Sequence, residues 1–383
     1  MTRQSPLMPV EEVPVAAAKV WLYTGAEGPP LAAHEAALTR YLANRANASA
    51  GRDANAVVEA TLRERLASLL GMDTGDIALV SNSSEAMNIV AGTIALQPGD
   101  NIVLNDLEFP SVVQPWLRLA GEGVVDIRLA AHVGTDLPTE TVTSLIDDRT
   151  RVVAFSHVSF KSGWRHDVRA LSEAADRVGA LVLLDATQSL GVIPVPADLV
   201  DVVVCSSYKW LLGGHGVGVL AWNRRRRPLP DPPAVGWRSV PDIFTRDRFE
   251  TYHLHDDARR FETGFPSFPT IYLLDTSLGT LGRYEATAVR DHVLALSGRL
   301  VQELSTRGWE LLTPAAPEHR AGNVAVSTPN GSELAGLLAE QGIHCWGGDG
   351  RLRASVHLFN GDDDIDRLLA ALDELPPHLR PGG

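Results

Sequence analysis

Between residues 76 and 208 two spacings of apolar residues alternate. "DIALVSN", "NIVLND", "VVDIRLAA", "RTRVVAFSHVS", "ALVLLDATQ" and "VDVVVCSSY" are short apolar runs, and each reads as a strand. Between them, "SSEAMNIVAGTIAL", "SVVQPWLRLAGEG" and "VRALSEAADRVG" repeat their apolar residues every three to four positions, as helices do. "ALVLLD" and "VDVVVC" are continuously apolar, which predicts strands covered on both faces. Strands alternating with helices predict an α/β fold with a mostly parallel central sheet and helices on both faces. Ligands on such sheets gather beyond the carboxyl ends of the strands.

After "RFETGFPSFPT" the spacing changes. A long helical stretch from Ile271 to Arg307 is followed by strand-like "GNVAVST" and "LRASVHLF" and by a last helix, "DDIDRLLAALDEL". This predicts a smaller α+β unit over residues 271–383, a larger one over 25–270, and an N-terminal arm over 1–24. A chain of 383 residues has room for two packed units.

Charge narrows the partners. With a net charge of −13 the surface repels nucleic acid and anionic membrane. The basic run Arg224–Arg227 is short, bounded by prolines, and reads as a solvated loop. Cys205 and Cys345 are the two cysteines, too few for a disulfide framework or a metal cluster. No apolar stretch has signal-peptide or membrane-span length, so the expected location is the cytoplasm.

The chemistry-bearing residues sit where strands end. Asp185 closes a buried apolar run, where an unpartnered charge is costly. Lys209 follows the next strand in "SSYKWLLGGHGVGVL", between a tyrosine and a tryptophan. Taken by itself, that lysine also suits a hairpin from which it reaches water. Ser83 and Ser84 open a helix directly after a strand, which makes an anion cup or, more simply, an N-cap at Ser83. Phe109 offers a flat face at a fourth strand end. An amine, a carboxylate, an anion site and an aromatic face together match the needs of pyridoxal 5′-phosphate.

"DATQ", "SSYKWLLGGHGVGVL" and "LRASVHLFNGDDDIDRL" resemble the class V aminotransferase group of fold-type I pyridoxal-phosphate enzymes. That group includes cysteine desulfurases, cystine and cysteine-conjugate C–S lyases, isopenicillin N epimerase and kynureninase. The resemblance runs from "VWLYTGAEGPP" to the last helix. It implies Lys209 as the Schiff-base lysine, Asp185 as partner of the ring nitrogen and Gln188 as donor to the ring hydroxyl. It implies Ser83, Ser84, Ser206 and Tyr208 as phosphate ligands, Phe109 as the stacking ring, and Arg353 as the grip on the substrate carboxylate, with Arg351 left to a surface ion pair. It also implies a homodimer with shared active sites, in which Trp237 reaches the phosphate of the neighbouring subunit. His157 reads as a packed polar residue and His215 as a position with an unusual backbone angle; neither is assigned to catalysis.

The sequence departs from the desulfurases at "GIHCWGGDGRLRAS". The segment is short, and Cys345 falls before the position of their nucleophile. Phe160 stands where those enzymes carry an asparagine. The expectation is a lyase that cleaves the C–S bond of a cysteine S-conjugate in a biosynthetic pathway, approached through Trp21, Tyr23, Phe109, Phe265 and Trp346. Transamination, epimerisation, decarboxylation or oxidative deamination, desulfuration, and a non-catalytic cofactor-binding regulator are the alternatives.

Overall fold

The computed structural model describes residues 3–381. A two-residue strand, β1 (Val20–Trp21), precedes seven that build the central sheet: β2 (Ile77–Val80), β3 (Asp100–Asn105), β4 (Val125–Ala130), β5 (Thr150–Ser156), β6 (Leu181–Asp185), β7 (Val202–Ser206) and β8 (Gly218–Trp222). Their order across the sheet is β2-β8-β7-β6-β5-β3-β4. All run parallel except β8, which is antiparallel to both of its neighbours, β2 and β7. The strands expected from the sequence are present, and β8 is added by the glycine-rich stretch after Lys209.

The uninterrupted apolar runs still alternate in space. Val203 and Cys205 of β7 join one hydrophobic cluster, with Val182 and Leu184 of β6 and Val153 and Phe155 of β5. Val202 and Val204, Leu181 and Leu183, and Val152 and Ala154 join the cluster on the opposite face. The first face is covered by Leu62 and Leu66 of helix Ala48–Leu70 and by Ile271 and Leu274 of helix Phe268–Leu281. Met87 and Val90 of helix Ser83–Thr93 and Trp116 of helix Pro110–Gly121 cover the second. The edge strand β4 leaves Asp126 and Leu129 exposed.

A three-stranded antiparallel sheet, β11-β12-β9, forms the second unit, from β9 (Asn323–Ser327), β11 (Trp346–Gly348) and β12 (Arg351–Ser355). The short β10 (Ile343–His344) pairs in parallel with β1. Met8, Val13, Val20 and Leu22, from the first residues, share a core with helix Ala286–Thr306, β9, β12 and helix Asp362–Asp373. Trp210 and Leu212, from the turn between β7 and β8, enter this same core.

Three expectations are corrected. The stretch Ile271–Arg307 is two helices, Phe268–Leu281 and Ala286–Thr306, broken at Gly282–Glu285, so residue 270 lies inside a helix and not between units. Arg224–Arg227 is clamped, because all four side chains pair with aspartates: Asp76, Asp73, Asp176 and Asp201. The positive backbone angle near His215 belongs to Leu212 (φ 54°) and Gly216 (φ 97°).

Candidate active site

The ends of β2, β5, β6 and β7, with the loop after β3, surround a small pocket of about 90 Å³. Lys209, Asp185, Gln188, Ser206 and Tyr208 line it together with Ser83, Ser84 and Phe109. The parallel strands bring these residues together because their carboxyl ends share one edge.

Lys209 is buried, and its Nζ lies 5.3 Å from the centre of the Phe109 ring and 5.6 Å from that of Tyr208. Burial, then the positive charge of Arg353, lowers the amine from its ordinary 10.5 to about 8, against the pull of Asp185. A lysine so placed holds a reactive neutral fraction near neutral pH. Asp185 accepts the Thr187 amide at 2.8 Å and has no ion-pair partner among the described residues. Burial raises its pKa, so a cationic N–H in the pocket is the partner it lacks.

Helix Ser83–Thr93 is capped by Asn82, not by Ser83: the Asn82 side chain accepts the Glu85 amide at 2.8 Å. The Ser83 and Ser84 amides have no acceptor among the described residues, and both residues line the pocket. Ser83 Oγ lies 2.7 Å from Ser206 Oγ, and Ser84 Oγ lies 2.6 Å from Ser111 Oγ. Four hydroxyls thus gather beside a helix N-terminus, the kind of place where anions bind.

Other residues fall outside this pocket. Arg353 stands behind Phe160, donating to its carbonyl, with its guanidinium carbon 5.3 Å from the Trp346 ring centre. It has no carboxylate partner among the described residues, and burial, then Arg351, lowers its pKa to about 9. Arg351 is not a surface residue: it is 1% exposed, and only its partner Asp349 reaches solvent. Trp237 lines a different cavity with Glu59, Arg63, Arg238 and Glu262, so one chain does not bring it to Lys209. Phe265 packs edge-on against Trp237 at 4.6 Å and leaves the expected aromatic approach. Trp21 and Tyr23 pack edge-on at 6.0 Å, while Trp346 lies against the two arginines.

Sequence reasoning missed Glu108. Its carboxylate accepts the Ser156 amide at 2.8 Å and the Ser156 hydroxyl and Asn105 amide at 2.5 Å. Burial raises it to about 7. An acid directly before Phe109 at a strand end was the available signal. His157 is buried, and its backbone amide donates to the Asp185 carbonyl. His215 stacks on Tyr208 with ring centres 4.1 Å apart.

Residues 30–368 match the family model "Aminotransferase class-V". The chain is 31% identical to isopenicillin N epimerase of Amycolatopsis lactamdurans over 82% of its own length and 84% of the relative's. It is 30% identical to a cysteine desulfurase of Pectobacterium atrosepticum, over 82% and 81% of the two chains. The structure of the cystine C–S lyase C-DES, in complex with cysteine persulfide, superposes with a TM-score of 0.87 at 24% identity over 95% of this chain and all of that one. The matched span takes in every strand of the central sheet, the pocket at their carboxyl ends and Arg353, and on this basis the chain belongs to the class V aminotransferase family.

Proposed function

We propose that this protein binds pyridoxal 5′-phosphate at Lys209 and cleaves the C–S bond of a cysteine S-conjugate. The observation that carries the reading is one pocket holding a buried lysine of lowered pKa and a buried carboxylate without a cation. The residues fit the group: Asp185 would serve the ring nitrogen, Gln188 the ring hydroxyl and Phe109 the ring face, and Ser83, Ser84, Ser206 and Tyr208 would hold the phosphate. When bound, the cofactor supplies an electron sink for the α-carbon. Asp185 keeps the ring nitrogen protonated. Arg353, a buried cation without a carboxylate, receives the α-carboxylate and orients the substrate. Lys209 removes the α-proton. The sulfur leaves from the β-carbon as a thiol, and with one water the remainder ends as pyruvate and ammonia.

A route through a protein persulfide is disfavoured by both cysteines. Neither lines the pocket, and burial pushes the Cys345 thiol up to about 12 and raises that of Cys205 further. A persulfide needs an accessible thiolate. The test is product analysis of purified protein with cysteine S-conjugates, with and without a keto acid. Pyruvate, ammonia and free thiol are expected, with Cys345→Ala within about twofold of the parent. Amino-group exchange with sulfur retained, carbon dioxide release, or a persulfide trapped on Cys345 would each replace the lyase reading. An unchanged visible band with every amino acid would mark a binding protein.

The proposed assembly is a homodimer. Residues 235–265 expose Trp237, Phe244, Phe249, Tyr252 and Phe265, the last four to 53–88%. Clustered exposed aromatics of this kind mark contact surfaces.

A further inference from the structure

Gln188, which lines the pocket, is bonded to three distant segments of the chain. Its Oε1 accepts two hydrogen bonds, from Trp210 Nε1 at 2.8 Å and from Asn323 Nδ2 at 3.0 Å. Its Nε2 donates one, to the Gly25 carbonyl at 2.9 Å. A side-chain amide has two acceptor sites and two donor hydrogens. Both acceptor sites are therefore filled and one N–H remains, on a side chain that is 4% exposed and lines the pocket.

The amide cannot turn over in this setting. An indole nitrogen donates and never accepts, so a reversed amide would set its NH₂ against the Trp210 N–H. Asn323 is oriented in turn by this acceptor: because Trp210 fixes the Gln188 Oε1, Asn323 presents its NH₂ to it, and the Asn323 Oδ1 accepts the Ser355 hydroxyl at 2.7 Å. Backbone packs tightly against both partners. A Cβ on Gly25 would lie 2.4 Å from Asn323 Oδ1, and one on Gly322 would lie 2.5 Å from the Trp210 ring. Trp210 follows Lys209 directly yet is buried in the core of the small unit. Asn323 and Ser355 are paired across β9 and β12, and Ser355 is two residues from Arg353.

We propose that Trp210 and Asn323 are positioning residues that lock the orientation of the Gln188 amide, so that its remaining N–H is a fixed donor into the cofactor pocket. The inference rests on the cofactor reading above and goes beyond it: the position of the small unit, through Asn323, sets a hydrogen bond at the site in the large one. A fixed donor stabilises negative charge on the oxygen it serves. Without it, the group at Lys209 holds its proton to higher pH.

The test uses protein loaded with pyridoxal 5′-phosphate and reads the pH midpoint of its visible absorption band. Gln188→Ala, which removes the donor, serves as the reference and should raise the midpoint by about half to one pH unit. Trp210→Phe and Asn323→Leu, at residues that do not themselves line the pocket, should raise it in the same direction. The double variant Trp210→Phe/Gln188→Ala should shift no further than Gln188→Ala alone, because the tryptophan acts only through the amide. Additive shifts, or a lowered melting temperature with an unmoved midpoint in both Trp210→Phe and Asn323→Leu, would overturn the proposal. If Trp210→Phe does not fold, Asn323→Leu carries the comparison. A parent protein that forms no visible band sinks the cofactor reading itself, which separates that failure from failure of the lock.

Discussion

Asp185 and Lys209 show how burial prepares a side chain for chemistry. The aspartate sits at the end of an apolar strand with the Thr187 amide as its donor and no cation, and burial raises its pKa. A group whose folded pKa is raised stabilises the fold below its unfolded pKa and loses that contribution as pH rises through the folded value. At neutral pH without cofactor, Asp185 is therefore a burden on the fold. Asp185→Asn should leave the cofactor-free protein at least as stable at pH 7, while turnover falls by about 100-fold or more. Thermal melts of the cofactor-free protein beside assays of the loaded one decide it; equal losses in both would make Asp185 structural. Asp185, Lys209 and Ser206 were legible in the sequence because each closes or closely follows a strand. Glu108 and Thr187 were not singled out, since an acid in a loop and a threonine after an aspartate have many ordinary uses.

The turn after β7 is the element on which the site depends. Leu212 holds a left-handed backbone (φ 54°), unusual for a side-chain-bearing residue. Its carbonyl is held by Ser277 Oγ at 2.7 Å, and Ser277 Oγ lies 2.8 Å from His34 Nε2. On the other side, the Gly28 amide donates to the Tyr208 carbonyl at 2.8 Å. A Cβ on Gly28 would stand 2.3 Å from the Lys209 carbonyl oxygen, closer than any side chain tolerates. Gly28→Ala must push the Lys209 backbone aside. The expected result is at least about tenfold weaker cofactor retention, with a smaller effect on the cofactor-free melting temperature. Dialysis against a cofactor scavenger measures the first and a thermal scan the second. Unchanged retention would show that the backbone yields elsewhere. The apolar spacing predicted β7 before this turn, but not β8 after it. The turn's own shape rests on contacts with residues 28, 34 and 277, far away in the chain.

Across the whole molecule, five buried histidines set the response to acid, His292 among them with its pKa lowered by burial. Burial lowers His34 and His357 to about 4 and His157 and His166 to about 3. Unfolded rings protonate near the ordinary 6.5, so the fold holds this contribution in full above that pH. It is lost as pH falls from about 6.5 toward the folded values. Each ring adds a slope of up to about 1.4 kcal/mol per pH unit in that window. Denaturant unfolding from pH 7 to 4.5 should show a steep loss that His34→Gln makes shallower; a flat profile for the parent would remove the histidines from the account. The proposed dimer belongs to this scale too. Light scattering should give twice the 41.2 kDa chain mass, and Phe244→Ser/Phe249→Ser should weaken the association. A parent that is monomeric yet fully active and cofactor-saturated would contradict it.

Local chemistry in the sequence determined the alternation of strands and helices, the crossing of a mostly parallel sheet to a smaller unit, and the strand ends that carry Lys209, Asp185, Ser206 and Ser83. Those features depend on periodicity, turn residues and burial of apolar runs, which neighbouring residues decide. The tertiary structure alone decided that β8 runs antiparallel, that Arg351 is buried, and that the opening residues pack into the core of the closing ones. It also separated Trp237 and Phe265 from Lys209 and joined Gln188 to Trp210, Asn323 and Gly25. Each of these is a contact between residues distant in the chain. The spacing of residues within one segment carries no record of which other segment will lie against it.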